Sequence, residues 1–219
     1  MSLDEMRQSY KLGRLEEKDI AADPLVQFRT WLAEAIQGSP AQGPLPDWVE
    51  ANAMTLSTSD GQGRVSSRIV LLKGLEDDQF WFYTNYQSHK AGQIRSNPNV
   101  SLCFLWPHVQ RQVRIEGTAA QASREQSVRY FRSRPRDSQL GALVSQQSTV
   151  VDSRGVLEKR LEELKNRYAD KEIPCPDDWG GYRVSPSRFE FWQGRDSRLH
   201  DRLCYRQQGS QWIVERLCP

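Results

Sequence analysis

Hydrophobic and polar residues follow two different periods along this chain, and each period predicts its own kind of element. Residues 1–22 are polar and show neither period, which predicts a flexible N-terminal arm, whereas residues 23–219 are expected to form a single domain. The first helix has clear end signals, because Asp23 is a favourable N-cap, Pro24 follows in the first turn, and Gly38 comes after the last apolar position. The apolar stripe of this helix consists of Leu25, Phe28, Leu32 and Ile36.

Short strands dominate the rest of the chain. After a loop at residues 39–47, strand patterns cover 53–58, 65–73, 79–84, 99–106, 111–120, 182–192, 199–206 and 211–217. Helical patterns cover 89–96, 124–134, 138–146 and 154–169. Most of the strands are joined by tight turns, which pair strands antiparallel, and five or more such strands in one domain favour a barrel. The pattern therefore predicts an α+β fold in which an antiparallel β-barrel carries helices on its outside.

Composition excludes several functions for the chain as a whole. Its 219 residues include 30 basic and 28 acidic side chains, so any anion binding must be local. No apolar run approaches roughly 18 residues and no apolar signal core follows Met1, so we expect a cytoplasmic protein without a membrane span. The four cysteines lack C-x-x-C spacing and are expected to be reduced, and the three scattered histidines predict no metal site.

The stretch "RYFRSRPRDSQ" at residues 129–139 concentrates positive charge at a helix end. Tyr130 and Arg134 are four residues apart on one helical face, and Pro135 ends that helix. The next helix is predicted to begin at Asp137 or Ser138, where free backbone N–H groups and a hydroxyl suit a phosphate. We interpret Tyr130, Arg134 and Ser138 as a phosphate site. The other arginines of the stretch are predicted only to solvate the helix: Arg129, Arg132 and Arg136.

A second cationic site is predicted around "NYQSHKAGQIRSNP". Ser88 is the expected cap of a helix whose first turn contains His89 and Lys90, and cations at this positive end are unfavourable unless an anion binds there. Arg68 and Lys73 bracket the strand "SSRIVLLKG", whose apolar residues on both faces predict that it is largely buried. Buried charges need partners, so either internal salt bridges or a bound anion must compensate them.

The third feature is "FWQGRDSRLHDRLCY". In strand geometry Arg198, His200 and Arg202 point to one side, and a histidine flanked by arginines is a candidate for chemistry. No G-x-G-x-x-G follows a strand and no G-x-x-x-x-G-K-[ST] is present, which argues against dinucleotide and nucleotide-triphosphate folds. These residues indicate two phosphate sites and a planar aromatic ligand, but no particular reaction.

Eight segments together resemble the pyridoxine (pyridoxamine) 5′-phosphate oxidase family. They are "RIVLLKG", "FYTN", "SHKAGQI", "RQVRIEG", "YFRSRPRDSQLGALVSQQS", "WGGYRV", "EFWQG" and "RLHDR", in that order. The resemblance covers about residue 6 to residue 219. It implies a homodimeric split β-barrel with FMN at the subunit interface. The implied reaction belongs to vitamin B6 metabolism: pyridoxine or pyridoxamine phosphate becomes pyridoxal phosphate, and dioxygen re-oxidises the flavin and yields hydrogen peroxide.

The resemblance also implies roles for individual residues. FMN contacts fall on Arg68, Ile69, Val70, Leu71, Leu72, Lys73, Tyr83, Thr84, His89, Lys90, Gln112, Gln147, Ser148, Trp192 and Arg202. Substrate contacts fall on Lys73, Tyr130, Arg134, Ser138, Arg198, Leu199, His200 and, in the N-terminal "RQSY", Arg7 and Tyr10. As catalytic residues, Arg198 would clamp the pyridine ring against the flavin while a hydride passes to it, and His200 would bond the substrate and help the accompanying proton leave. His89 stands where the family usually has arginine, which implies a more pH-dependent hold on the FMN phosphate.

Two other functions compete with this one. Split-barrel relatives can bind FMN or another ligand as sensors or carriers without oxidase activity, and such proteins would need neither the second phosphate site nor the "RLHDR" face. Nucleic-acid binding through the arginine-rich helix is disfavoured, because that helix lacks interleaved aromatic residues and the chain lacks a strong net charge.

Overall fold

One antiparallel sheet organises the chain in the computed structural model, which describes residues 2–5, 9–38, 45–47 and 49–219. The helices in these ranges are α1 (Pro24–Gln37), α2 (His89–Ser96), α3 (Arg124–Ser133), α4 (Arg136–Val144) and α5 (Arg154–Arg167). The strands are β1 (Ala53–Ser59), β2 (Val65–Leu71), β3 (Gly74–Glu76), β4 (Gln79–Asn85), β5 (Asn99–Trp106), β6 (Arg111–Gln121), β7 (Trp179–Gln193), β8 (Asp201–Gln208) and β9 (Gln211–Arg216). The predicted α+β class is confirmed, and β3 is the strand that the pattern missed.

The sheet is split at its longest strand, β7. Its main path runs β2-β1-β5-β6-β7-β4-β3, and β8 and β9 branch from it. One edge of β7 pairs with β6, whereas the other edge pairs with β4 over residues 179–184 and with β8 over residues 188–193. The main path does not close on itself, because its end strands β2 and β3 each pair with one strand only among the described residues.

Helix α1 covers the core side of the sheet. Asp23 caps it as predicted, since the side chain accepts a hydrogen bond from the backbone N–H of Leu25, and Gly38 ends it with a positive φ of 74°. Phe28 packs edge-on against both Phe80 and Phe104, with ring centroids 5.0 Å apart in each pair. The predicted apolar stripe of α1 is wrong at its last residue, because Ile36 is 60% exposed. Trp31 and Ala35 are buried on this helix instead.

Strand β2 corrects a second prediction. Its apolar residues on both faces predicted a largely buried strand, but β2 lies at the edge of the sheet, and Val65 and Ile69 are 69% and 64% exposed. Exposed and half-buried positions alternate along most of β2, so one of its faces is exposed. Apolar positions of this kind on an edge strand are typical of a surface that another chain covers.

Part of the N-terminal segment packs on the sheet. Leu15 is a core residue with 4% exposure, its backbone N–H donates to the carboxylate of Asp201, and the hydroxyl of Tyr205 donates to the carbonyl of Ala21. The predicted arm therefore contributes to the core at Leu15. The division into an arm and one domain stays a prediction. Within the described ranges, no helix combines the length and apolar character that crossing a membrane requires.

Candidate active site

A cleft of about 990 Å³ opens between β2, β4 and helices α2 to α4, which is a suitable size for a cofactor or small ligand. It is lined by Arg68, Ile69, Val70, Leu71, Lys73, Tyr83, Thr84, Asn85, His89, Lys90, Tyr130, Arg134, Pro135, Ser138, Gly141, Ala142, Ser145, Gln147, Ser148 and Trp179. This lining contains two arginines, two lysines and a histidine but no aspartate or glutamate. We call it the cationic cleft, and its chemistry fits an anionic ligand.

Lys90 forms one cationic focus of the cleft. It is 9% exposed, and its ammonium donates to Thr84 Oγ1 at 3.1 Å and to Gln147 Oε1 at 2.7 Å, both neutral acceptors. Burial, and next the nearby positive charge of Arg68, lower the pKa of Lys90 to about 8. A buried ammonium without a carboxylate partner is stabilised by an anion, so this position is suited to a phosphate.

Arg68 adds a second cation to the same focus. Its guanidinium donates to the carbonyl of Leu56 at 3.1 Å, to Thr58 Oγ1 at 2.6 Å and to Ser66 Oγ, and burial lowers its pKa. Within the described ranges neither Arg68 nor Lys73 makes an ion pair, so the internal salt bridges that the sequence left open are not present there. Lys73 is exposed to solvent and needs no partner, whereas the half-buried Arg68 is suited to a bound anion.

The start of α2 contributes backbone donors to this focus. Ser88 occupies the N-cap as predicted, but its hydroxyl donates to the carbonyl of Asn85 at 2.7 Å and makes no capping bond. The N–H groups of the first helical turn are therefore left without a side-chain cap beside Lys90, an arrangement that favours anions. His89, the next residue, is exposed and lines the cleft.

A second cationic focus lies where α3 ends. The predicted capping box of Ser123 and Gln126 starts α3, and Arg134 is its C-cap residue. The guanidinium carbon of Arg134 lies 4.7 Å from the ring centroid of Trp179, and its Nη1 is buried without a hydrogen-bond partner among the described residues. An unpartnered buried donor on a charged group is costly, so Arg134 is equipped to bind an anion.

Stacked aromatic rings lie beside this second focus. Tyr83 and Tyr130 stack with ring centroids 3.7 Å apart, and Trp179 stacks on Tyr83 at 5.5 Å. Ser138 lies in the first turn of α4 and lines the same cleft. The sequence interpretation missed Trp179, because an aromatic residue at the start of a strand cannot be told from an ordinary core residue by its pattern.

The remaining arginines of the opening stretch differ from one another. Arg129 and Arg132 are exposed as predicted, and Arg132 pairs with the exposed Glu172 at 2.7 Å. Arg136 does more than solvate the helix. It begins α4 and donates to the carbonyls of Tyr168, Ala169 and Lys171, which follow the C-terminal end of α5. The prediction that Arg136 only solvates the helix is therefore wrong. Its guanidinium also satisfies carbonyl groups that are left free at the end of α5.

A separate aromatic group surrounds His200. Its ring centroid lies 4.7 Å from that of Trp192 and 5.4 Å from that of Tyr10. We call these three residues the histidine cluster. The backbone N–H of Arg195 donates to Nδ1 of His200 at 3.0 Å. In its neutral form the ring therefore carries its proton on Nε2, where it can donate a hydrogen bond.

The segment before β8 corrects the predicted alternation. Arg198 ends a short 3₁₀ turn, Asp196–Arg198, with a left-handed φ of 60°, and the strand begins only at Asp201. Arg198 and His200 therefore do not share a strand face with Arg202. Arg202 pairs instead with Glu190 at 2.9 Å and donates to the carbonyl of Cys218.

Most of the predicted site residues thus lie in two separate parts of the chain, the cationic cleft and the region around the histidine cluster. The cationic cleft collects most of them, but its lining includes none of Tyr10, Gln112, Trp192, Arg198, Leu199, His200 and Arg202. Gln112, Trp192 and Arg202 lie side by side across β6, β7 and β8. Leu72 is also outside the lining, because it is a core residue with 7% exposure. Arg7 lies outside the described residues.

Comparisons with known proteins match the whole length of the chain. A family model described as pyridoxamine 5′-phosphate oxidase matches residues 47–168, and a pyridoxine 5′-phosphate oxidase C-terminal dimerisation region matches residues 179–219. A pyridoxine/pyridoxamine 5′-phosphate oxidase of Rhodopirellula baltica is 57% identical and covers 100% of this chain and 97% of its own length. The Pseudomonas fluorescens protein of that name is 49% identical, and the match covers 100% of this chain and 99% of the relative.

Solved structures show the same fold. PhzG from Burkholderia lata, solved with tetrahydrophenazine-1-carboxylic acid, superposes with a TM-score of 0.84 at 26% identity and covers 94% of this chain and 98% of its own. An FMN-binding, pyridoxamine 5′-phosphate oxidase-related protein of Nostoc punctiforme superposes with a TM-score of 0.70 at 20% identity, covering 91% and 100%. These likenesses confirm the split-barrel fold that the motifs implied.

Proposed function

The chain belongs to the pyridoxamine 5′-phosphate oxidase family of flavin-dependent oxidoreductases, and on this basis we propose that it converts pyridoxine 5′-phosphate and pyridoxamine 5′-phosphate to pyridoxal 5′-phosphate. FMN is the proposed cofactor, dioxygen the acceptor and hydrogen peroxide the second product. The observation that carries the proposal is the pair of cationic foci in one cleft without a carboxylate in its lining. One focus serves the phosphate of the cofactor and the other that of the substrate.

Arg68 and Lys90 are the residues proposed to hold the FMN phosphate, with His89, Thr84 and Gln147 beside them. FMN, when bound, would supply the redox chemistry, namely acceptance of a hydride from the substrate carbon that bears the alcohol or amine and transfer of the electrons to dioxygen. The protein's own contribution is to bind both phosphates and hold the two aromatic systems in a fixed relative position. Lys73 and residues 69–71 line the cleft next to this focus.

Tyr130, Arg134 and Ser138 are proposed to bind the substrate phosphate. His200 is proposed to orient the substrate by donating from Nε2 to its hydroxyl or amine. The hydrogen bond from Arg195 to Nδ1 does not support the further expectation that His200 removes a proton, because a neutral ring with a protonated Nε2 has no free acceptor for it. Arg198 retains its proposed role of covering the pyridine ring.

A homodimer would unite the two groups of residues. Residues 179–219, which match the dimerisation region, contain Trp192, Arg198, His200 and Arg202. Ile69, an exposed apolar residue of β2, lines the cationic cleft and is suited to burial against a second copy. We therefore propose that the histidine cluster of one subunit completes the cleft of the other, with FMN between them.

A sensor or carrier that binds FMN without turnover is the second candidate. It would share the focus at Arg68 and Lys90 but would have no use for a second phosphate focus. The buried Nη1 of Arg134, which has no hydrogen-bond partner among the residues that the structure describes, therefore favours the oxidase over the carrier.

The purified protein is expected to be yellow and to release FMN rather than FAD. A terminal phosphate carries about 1.5–2 negative charges at neutral pH, whereas each phosphate of FAD carries one. The higher charge matches the two cations Arg68 and Lys90, which form no ion pair within the part of the chain that the structure describes. Mass spectrometry of the flavin released on denaturation checks this, and apoprotein incubated with each flavin provides the control. Release of FAD, or preferential rebinding of FAD, would contradict the assignment of this focus to a terminal phosphate.

A further inference from the structure

Gln93 lies on α2 behind the cationic cleft and is 5% exposed. Its Oε1 accepts hydrogen bonds from Thr58 Oγ1 at 2.6 Å and from Ser66 Oγ at 2.7 Å. Its Nε2 donates to the backbone carbonyl of Arg64 at 3.3 Å. Because a carbonyl can only accept, this last bond sets which end of the amide faces the hydroxyls.

The two hydroxyls are thereby oriented as hydrogen-bond acceptors for Arg68. Each hydroxyl has one proton, and each gives it to Gln93, so only its lone pairs face the guanidinium. Arg68 donates to both, through Nη1 to Thr58 and through Nη2 to Ser66. Gln93 therefore holds two oxygen acceptors in the orientation that a guanidinium, which can only donate, requires.

The anchoring leaves the charge of Arg68 available. Its acceptors are the carbonyl of Leu56 and two hydroxyls, all neutral, whereas a carboxylate in the place of Gln93 would neutralise the guanidinium. Within the described ranges the Nε–H and one Nη2–H of Arg68 have no acceptor. A guanidinium with free N–H donors of this kind can bind phosphate oxygens in a bidentate manner.

We propose that Gln93 is a positioning residue for the cofactor phosphate: through Thr58 and Ser66 it fixes Arg68 in the orientation that binds the anion. This inference rests on the proposed FMN site and names a residue that does not line it. Helix α2 then supplies both the cation Lys90, near its start, and the anchor of Arg68, three residues later.

The test compares FMN with riboflavin, which lacks the phosphate. Apoprotein is titrated with each flavin, and the ratio of the riboflavin Kd to the FMN Kd measures the contribution of the phosphate. In Gln93→Met this ratio is expected to fall about tenfold, because the phosphate loses the equivalent of one charge-assisted hydrogen bond, while the riboflavin Kd changes less than about twofold. Ser66→Ala, which removes one acceptor of Arg68, is expected to lower the ratio in the same direction.

Ser67→Ala is the matched control. Ser67 is the next residue of β2, and its hydroxyl bonds Ser57 Oγ at 2.8 Å, away from Arg68. Its ratio is expected to stay within about twofold of the wild-type value. An unchanged ratio in Gln93→Met and Ser66→Ala would overturn the positioning role, and if Gln93→Met does not fold, Ser66→Ala against Ser67→Ala decides alone. A wild-type ratio near one would instead mean that the FMN site itself is misassigned.

Discussion

Replacing Arg134 with alanine is expected to lower kcat/KM for pyridoxine 5′-phosphate by about tenfold to about 150-fold, with the flavin content unchanged. The guanidinium of Arg134 lies over the ring of Trp179, and among the described residues it has no carboxylate partner and keeps a buried donor without an acceptor, so a substrate phosphate would satisfy it. A charge-assisted hydrogen bond of this kind contributes about 1.5–3 kcal/mol. The flavin is spared because its phosphate is assigned to Arg68 and Lys90. Steady-state kinetics and flavin absorbance on the same samples measure both effects.

Arg132→Ala is the matched control for this experiment. Arg132 lies in the same stretch, but its partner Glu172 is exposed, and exposed ion pairs contribute at most about 1 kcal/mol. Its kcat/KM is expected to change less than about twofold. Arg136 cannot serve as a second control, because its bonds to the end of α5 give it a structural role. Equal losses in Arg134→Ala and Arg132→Ala would indicate a diffuse basic patch. Loss of flavin in Arg134→Ala would reassign this focus to the cofactor.

The second large effect is a dependence of FMN affinity on pH. The pKa of Lys90 is lowered to about 8, so its ammonium is present in the apoprotein below that pH and is lost above it. FMN binding needs the ammonium, and the FMN Kd is therefore expected to rise by up to about tenfold per pH unit above about pH 8. Riboflavin, without a phosphate, should show no comparable rise. Fluorescence titrations of apoprotein from about pH 6 to about pH 9.5 give both curves.

Lys90→Met tests the assignment of this pH dependence. The variant keeps the length of the side chain but has no ammonium, so we expect FMN affinity at neutral pH to fall about tenfold or more and the rise above pH 8 to disappear. Arg95→Met is the control, because Arg95 is an exposed cation on the same helix and donates to the carbonyl of Tyr86. A rise that persists in Lys90→Met would show that another group titrates.

Much of the fold could be predicted from local signals. Helix α2 occupies residues 89–96 as predicted, and α1 begins and ends at its predicted caps, because capping residues act through neighbours in the sequence. The burial of β2 could not be predicted, because an apolar run does not tell whether the same chain or another one covers it. The strand alternation at Arg198 failed for a similar reason, since a left-handed turn interrupts the period.

Part of the candidate site could be predicted from the sequence, and the reason is physical. Arg68, Lys90 and Arg134 can be predicted because each is a cation at a position where burial or a helix end makes an anion favourable, and all three line the cationic cleft. Trp179 and Gln93 cannot be predicted in this way. Their roles depend on contacts with residues distant in the sequence, as between Gln93 and Thr58, and no local pattern carries that information.

The central claim is that this protein oxidises a phosphorylated vitamin B6 compound, and the most direct measurement is turnover of pyridoxine 5′-phosphate by the flavin-loaded protein in air. We predict that pyridoxal 5′-phosphate and hydrogen peroxide form in equal amounts over many turnovers. Unphosphorylated pyridoxine should react far more slowly, since it cannot use the focus at Arg134. A protein that retains its FMN, leaves pyridoxine 5′-phosphate and pyridoxamine 5′-phosphate unchanged and forms no peroxide would contradict the claim and favour the FMN-binding sensor or carrier.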